Sequence, residues 1–443
     1  RGWYREKKGK KAALLIINTC AVTSKASMQS RQAIRKLIRE NPDAKIVVTG
    51  CHAQTEPDII GKIDQVDHIV CHKDKTRIAD YIDELIYNKG FCNDSNASSF
   101  QFTKPDFQNT GCFHSFSHTV KGHMTRAYLK IQDGCNAFCT YCIVPYARGS
   151  SVSMDKEEVF KHLRELGKAG FKEVILTGIN LAAYGRNFKP QSSLSELLEE
   201  IDRQRPVHRI RLSSIEPREI NEDIIRLAGP EHILCDHFHI PLQSGDDDIL
   251  KKMNRPYDRA FFKDLIQRIH TALPFAGIGV DTLIGFPSET DRQFQNTYEL
   301  IESLPVSYLH IFPFSSRKGT PAWHFKQKVD ENIIKERCAM MRTLDKAKRK
   351  AFILANLNKK CEAVVLHEKD EHTGMLKAVT SNYLTVHLRE SPIKDSLVEG
   401  SPDLHGKIIE LIPEQYNKYN KLIIGKGDLH NERRLQTTGP SSG

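Results

Sequence analysis

The 443 residues correspond, at roughly 150 per domain, to about three domains, which excludes a free-standing peptide module. With 39% hydrophobic and 27% charged residues, 26 Gly and 19 Pro, the chain holds apolar material for sizeable cores and lacks the bias of disordered or fibrous proteins. A formal charge of +10, from 65 Lys+Arg against 55 Asp+Glu, favours an anionic partner, although it is a moderate excess over this length.

Apolar runs such as 12–17 stop far short of the about 18 residues a membrane span needs, and nothing resembles a secretory signal. The expected location is therefore the cytoplasm, with no membrane partner. Arg1 is not a natural translation start, so a cropped N-terminus is expected, and the final Gly-Pro-Ser-Ser-Gly reads as a flexible tail or cloning remnant. Eleven cysteines, an odd number without a secretion signal, point to metal or thiol chemistry rather than a complete disulfide framework.

From the N-terminus, strand-like 12–18 and 45–49 alternate with helix-like 25–40, 55–63 and 75–87, with a further strand at 66–70. This alternation predicts a parallel α/β domain over residues 1–89. Residues 90–122 lose periodicity, collect Asn, Ser, Gly and His, and read as a linker. A second domain is expected over 123–357, with six strand candidates at 126–132, 173–177, 209–213, 236–242, 278–284 and 307–312. Helical stretches separate most of them. In 154–168, Asp155 and Glu158 have capping-box spacing before apolar Val159, Phe160, Leu163 and Leu166.

Six β/α units predict an open or partial barrel, an architecture whose active groups sit at the carboxyl ends of the strands. Cys135, Thr177, Gly178, Asn180, Ser214, Glu216, Gln243 and Gly285 all fall at such ends, so their common edge is the candidate site. Asp281 is open to two readings, a functional carboxylate or a structural one. A long basic helix from Glu331 to about Leu357 carries Lys346, Lys348, Arg349 and Lys350, as a solvated face or a contact for an anion. Residues 361–425 then break into short β-rich pieces at 362–366, 376–380, 383–388 and 407–412, predicting a small β-barrel over 358–427 and a tail over 428–443.

Cys135, Cys139 and Cys142 form a C-x3-C-x2-C run just after the first barrel strand. A structural zinc site would want a fourth ligand, and an electron-transfer iron–sulfur cluster wants four cysteines, whereas a cubane on three thiolates keeps one iron open. This spacing resembles the signature of the radical S-adenosylmethionine superfamily. The run from Leu129 to Gly149, with 211–217, 241–245, 253–255 and 305–310, further resembles the methylthiotransferases, most of all the branch acting on tRNA N6-threonylcarbamoyladenosine.

The resemblance implies an N-terminal cluster-binding domain, a radical core and a C-terminal RNA-binding barrel of the TRAM type. It gives Cys135, Cys139 and Cys142 a 4Fe-4S cluster whose open iron chelates S-adenosylmethionine, leading to a 5′-deoxyadenosyl radical. It assigns Thr177-Gly178 to the methionine ammonium, and Tyr141, Asn180, Ser214, Glu216, Gln243 and Arg255 to polar groups of cofactor or substrate. The backbone at Ile284-Gly285 would flank adenine. A second 4Fe-4S cluster falls to Cys20 and Cys51, each following a predicted parallel strand; the family's third ligand lies upstream of this chain's first residue. Cys71 is a weaker substitute, while Cys92, Cys112, Cys235, Cys338 and Cys361 read as packing or incidental. Ser288 stands where relatives usually carry glycine.

The implied reaction is methylthiolation at C2 of threonylcarbamoyladenosine 37 in tRNA, consuming two molecules of S-adenosylmethionine. It needs an electron-donating reductase and a sulfur donor that the sequence does not name. An anticodon loop presents splayed bases that proteins read readily. Lys377, Lys407, Lys418, Lys421 and Lys426 with Tyr383, Tyr416 and Tyr419 suit backbone attraction and stacking. The competing readings are a sister enzyme acting on isopentenyladenosine, one acting on an aspartate of a ribosomal protein, and a non-enzymatic RNA-binding protein with a structural metal.

Overall fold

A computed structural model of the chain describes residues 11–87, 113, 124–389, 404–417 and 422–429. The expected linker, apart from Phe113, lies outside the described residues, as do Cys92, Cys112, Lys418, Tyr419, Lys421 and nearly all of the tail. In the first body, parallel strands Leu14–Thr19, Lys45–Gly50 and His68–Val70 lie side by side in that order. Helix Ser24–Glu40, capped by the Thr23 hydroxyl accepting from the Ala26 amide, buries Ile34 and Ile38 against Ile17, Ile46 and Val48. The single helix expected over 55–63 is instead two short ones, Cys51–Thr55 and Pro57–Gly61. Pro57 lacks the N–H that would continue the first, and serves as the opening residue of the second.

The second body holds the six predicted strands as two parallel three-stranded sheets. Ala127–Lys130, Glu173–Thr177 and Arg209–Leu212 form one; His237–Gln243, Gly277–Ile284 and Tyr308–Pro313 form the other. Bridges Ile210↔Leu234 and Ser214↔His239 join them into an open partial barrel whose two edge strands are the first and the last. A continuous apolar core packs the outer face of the strands against the helices. Helix Lys156–Lys168 has Asp155 at its N-cap, but the side chain accepts from the Glu157 amide at 2.9 Å rather than forming the expected box with Glu158. The long helix runs Glu331–Asn356, and on it Lys348 donates to the Glu302 and Leu304 carbonyls (2.5 and 2.7 Å), so part of the basic face is spent on packing.

The third body is a closed five-stranded barrel that includes Leu422–Leu429, a strand absent from the sequence prediction. It docks at the amino ends of the partial-barrel strands. Arg211 donates to the carbonyls of Thr380 and Ser381 (3.0 and 2.7 Å), and Arg209 to that of Val379 (2.8 Å). Glu173, wholly buried, compensates both arginines. Tyr383 stacks on His237 with ring centroids 4.4 Å apart and lies 5.0 Å beneath the Arg211 guanidinium. The aromatic expected to stack on RNA therefore has a face committed to the protein.

Candidate functional site

The cysteine loop leaves and rejoins the barrel edge between Gly134 and Gly149, where the Cys135 amide donates to the Gly149 carbonyl at 3.1 Å. Both glycines have positive φ, and a Cβ at Gly134 would stand 2.0 Å from the Ser150 carbonyl oxygen, so no other residue fits there. The turn after helix Asp247–Lys252 holds the loop from the other side. Thr140 donates to the Met253 carbonyl through its amide (3.1 Å) and to that of Lys252 through its hydroxyl (2.8 Å). Asn254 donates to the carbonyls of Ala137 and Phe138, both at 3.2 Å.

Arg255, only 8% exposed, gathers several predicted residues around the loop. One guanidinium nitrogen donates to Cys139 Sγ at 3.2 Å, a second bonds the Glu216 carboxylate, and Nε donates to the Tyr257 hydroxyl at 3.1 Å. Tyr257 in turn reaches the carbonyls of Pro241 and Leu242 (2.8 and 3.0 Å), just before Gln243, which takes a left-handed φ of 66°. The Cys135 side is built around Gln132, fully buried at the root of the loop. Its amide nitrogen donates to the carbonyls of Asp133 and Gly134 and to Ser151 Oγ, and its oxygen accepts from the Asn180 amide at 2.8 Å. A Cβ on Gly178 would stand 2.9 Å from that oxygen and 3.0 Å from Leu181 Cα, so the Thr177-Gly178 turn tolerates no side chain. Asn180 Nδ2 lies 4.0 Å from Cys135 Sγ, and its Oδ1 is buried without a hydrogen-bond partner, an acceptor available to a ligand beside the first cysteine.

Other predicted residues surround this centre, and Tyr141, between Cys139 and Cys142, lies near enough to Arg255 and Cys139 to feel their charges. Ser214 is exposed and bridges to His239. Tyr141 packs with Met253, Leu283 and Phe286. The Ile284 carbonyl accepts from Phe314 (2.7 Å) and the Gly285 amide donates to Glu289 (2.8 Å), so the peptide group they share is bonded away from the cysteine loop. Ser288 adopts φ 67°, the conformation glycine takes freely, and its hydroxyl accepts from Lys252 Nζ at 2.7 Å.

Burial pushes the Cys142 thiol up to about 12 and raises Cys135 as well, so these sulfurs become thiolates when a cation binds them. Among the described residues, the one trio of His, Cys, Asp or Glu ligand atoms within 4.8 Å of one another is His239, Asp281 and His310.

In the first body, Thr19 and Gly50 are in register, so Cys20 and Cys51 leave adjacent strand ends together. Cys20 is exposed and Cys51 buried. Cys71, also buried, follows the third strand at the same edge. Cys235 and Cys338 are buried, and the Cys361 thiol donates to the Leu411 carbonyl at 3.6 Å, in keeping with packing roles.

Arg148 links the two cysteine groups. Its Nε donates to Cys51 Sγ at 3.4 Å and its Nη1 to Asp133 Oδ1 at 3.0 Å, two residues from Cys135. Burial would raise the Asp133 carboxyl, but hydrogen bonding from His72 and the charges of Arg148 and Lys130 hold it well below the usual carboxylate range. Ala21 and Cys51 also pack on Ile143 and Ala147. Gln132, Asp133, Arg148 and Tyr257 thus join the candidate site, and the sequence pattern did not single them out. The first three lie within the quoted Leu129–Gly149 run, but their roles depend on partners far along the chain.

Comparison with known proteins gives two family matches, the Radical SAM superfamily over residues 129–301 and Uncharacterized protein family UPF0004 over residues 1–71. The chain is 37% identical over 413 residues to the threonylcarbamoyladenosine tRNA methylthiotransferase MtaB of Bacillus subtilis, covering 93% of this chain and 87% of that one. It is 36% identical to the MtaB of Aquifex aeolicus, over 85% and 87% of the two chains. A tRNA-2-methylthio-N(6)-dimethylallyladenosine synthase of Clostridium tetani is 32% identical, over 76% and 73%. Among solved structures, the radical S-adenosylmethionine methyltransferase TsrM of Kitasatospora setae, with cobalamin and a 4Fe-4S cluster bound, aligns with a TM-score of 0.54 at 15% identity, over 71% of this chain and 66% of that one. This likeness is one of fold.

Proposed function

This chain belongs to the radical S-adenosylmethionine methylthiotransferase family, and from that premise we propose that it methylthiolates C2 of adenosine 37 in tRNA once N6 carries a threonylcarbamoyl group. The observation that carries the reading is three thiols on one loop, clamped by Arg255 and Asn254 at the carboxyl edge of the partial barrel, in a chain aligned nearly end to end with threonylcarbamoyladenosine tRNA methylthiotransferases. With a 4Fe-4S cluster and S-adenosylmethionine bound, the site gains reductive radical chemistry that side chains lack. Cys135, Cys139 and Cys142 would hold the cluster.

Arg255 donates to one ligand sulfur and fixes Glu216, so that this carboxylate and Gln243 stand ready for polar groups of the cosubstrate. The side-chain-free turn at Thr177-Gly178 leaves backbone groups accessible to an ammonium, with Asn180 Oδ1 as a further acceptor. Ser214 and Tyr141 complete the proposed rim. Ile284 and Gly285 would flank adenine, with the peptide group they share engaged within the fold. An auxiliary cluster would sit on Cys20 and Cys51 with a third thiolate, across Arg148 from the loop.

The proposed division is 1–89 for the auxiliary cluster, 123–357 for the radical core and 358–427 for RNA contact. The chemistry also calls for an electron-donating reductase and a sulfur donor. Among the described residues, no helix is long and apolar enough to cross a membrane.

The test rebuilds the clusters anaerobically and supplies separately tRNA bearing threonylcarbamoyladenosine, tRNA bearing isopentenyladenosine, and the ribosomal protein. Mass spectrometry of the products is expected to show methylthiolation of the first alone. Product only on another substrate, or none with both clusters intact, would refute the assignment.

A further inference from the structure

Beyond the cysteine edge, the lumen of the partial barrel contains a polar group that the reaction chemistry does not use. His239, Asp281 and His310 lie on three neighbouring strands in register: Gly279 pairs with His239, and Asp281 with His310. His239 Nε2 stands 2.7 Å, and His310 Nδ1 3.3 Å, from the same oxygen, Asp281 Oδ1. His239 Nδ1 is in turn 3.1 Å from the Tyr308 hydroxyl, whose other partner is His237 at 2.8 Å. A metal ion would hold its N and O ligands about 3.3 Å apart around itself. The 2.7 Å contact is a direct hydrogen bond, so the trio is a hydrogen-bonded wall.

That wall faces the lumen. On the last strand Leu309 and Ile311 pack into the core between sheet and helices, whereas Tyr308, His310 and Phe312 alternate on the other face. The His310 side chain is 51% exposed, and its Nε2 makes no hydrogen bond among the described residues. Phe312, two residues nearer the cysteine edge, is 43% exposed. The C-terminal barrel covers the amino ends of the strands through Tyr383 and Arg211, so the exposed side of His310 and Phe312 lies toward the cysteine edge.

We infer that His310, positioned by Asp281, reads the N6 substituent of the target adenine and sets the preference for a threonylcarbamoyl over an isopentenyl group. The inference rests on the tRNA-adenosine reading above and deepens it. C2 and C6 flank N1 on the same edge of the ring, but their outward bonds diverge, so a base whose C2 faces the cysteine edge directs its N6 substituent away from that edge, toward the lumen. Phe312, at the rim, is the surface on which the ring would stack. His310 lies two residues deeper, about 7 Å at strand spacing. There the carboxylate, hydroxyl and ureido groups of a threonylcarbamoyl find hydrogen-bonding partners. An isopentenyl group would instead cover the half-exposed His310 without offering a partner to its Nε2, a mismatch that a hydrogen-bonding site rejects strongly.

The test uses the cluster-loaded protein and the two free nucleosides, measured by calorimetry, so that binding is read apart from turnover. Wild type is expected to bind N6-threonylcarbamoyladenosine about a hundredfold tighter than N6-isopentenyladenosine. His310→Leu should erase most of that difference while leaving isopentenyladenosine binding equal or tighter, and His310→Gln should restore part of it. Equal binding of both nucleosides by wild type, or unchanged discrimination in H310L, overturns the inference; so does a zinc ion held through His310 with no nucleoside preference. A protein that discriminates as expected yet makes no methylthio product upholds the inference and removes the reaction proposed above.

Discussion

Arg255 binds a cysteine sulfur, a carboxylate and a phenol with one planar fork, a set of simultaneous contacts that a lysine ammonium on a flexible stem does not reproduce. Arg255→Lys is expected to retain iron close to wild type while turnover falls by about tenfold or more. Iron analysis alongside product formation distinguishes this from simple loss of the cluster. Gln132 has a structural weight of its own, because Gln132→Leu would leave two carbonyls, a hydroxyl and the Asn180 amide without their buried partner. The expected cost is about 3 kcal/mol, read as a lower urea midpoint at unchanged m-value. The three loop cysteines were legible in the sequence because their spacing is local. Gln132 and Arg148 were not, since their decisive partners lie 48 and 97 positions away.

At the scale of elements, all six core strands were readable, since each is a short stretch rich in strand-favouring apolar residues, alternating with polar ones in Arg209–Leu212 and His237–Gln243. The strand expected over 383–388 begins only at Thr385, because Tyr383 turns through a φ of 74° to enter the barrel mouth. That turn has a tertiary cause, and no local pattern announces it. Glu173 opens the second strand of the core, and the docking of the C-terminal barrel depends on it. Burial opposes its charge, but Arg209 and Arg211 hold its carboxyl well below the usual range. Its folded value lies below the unfolded one of about 4.3, so the unfolded chain takes up the proton first. The stabilisation is complete above that pH and is lost as pH falls through and below it. Glu173→Gln leaves two buried cations uncompensated, with an expected loss of about 3–5 kcal/mol at neutral pH. Denaturation followed across pH should show the gap between variant and wild type narrowing on acidification.

Across the whole molecule, the two ends of the partial barrel are closed by different means. The first body meets the cysteine edge through Arg148 and the small cluster around Ala21 and Ile143, and the C-terminal barrel seals the opposite mouth through Arg209, Arg211 and Tyr383. Arg148 therefore stands between Cys51 of the first body and Asp133 at the root of the cysteine loop. The sequence order of three bodies was readable from composition, whereas the faces by which they meet were not, since each interface is made of single long-range side chains. The account stands on the loop thiols holding a cluster with an iron open to S-adenosylmethionine. Its most direct test is electron paramagnetic resonance of the reduced, anaerobically rebuilt Cys20→Ala/Cys51→Ala variant, in which only the loop site remains. About four irons per chain and a signal that shifts when S-adenosylmethionine is added are predicted. Absence of iron, zinc in its place, or a cluster signal indifferent to S-adenosylmethionine would contradict the account.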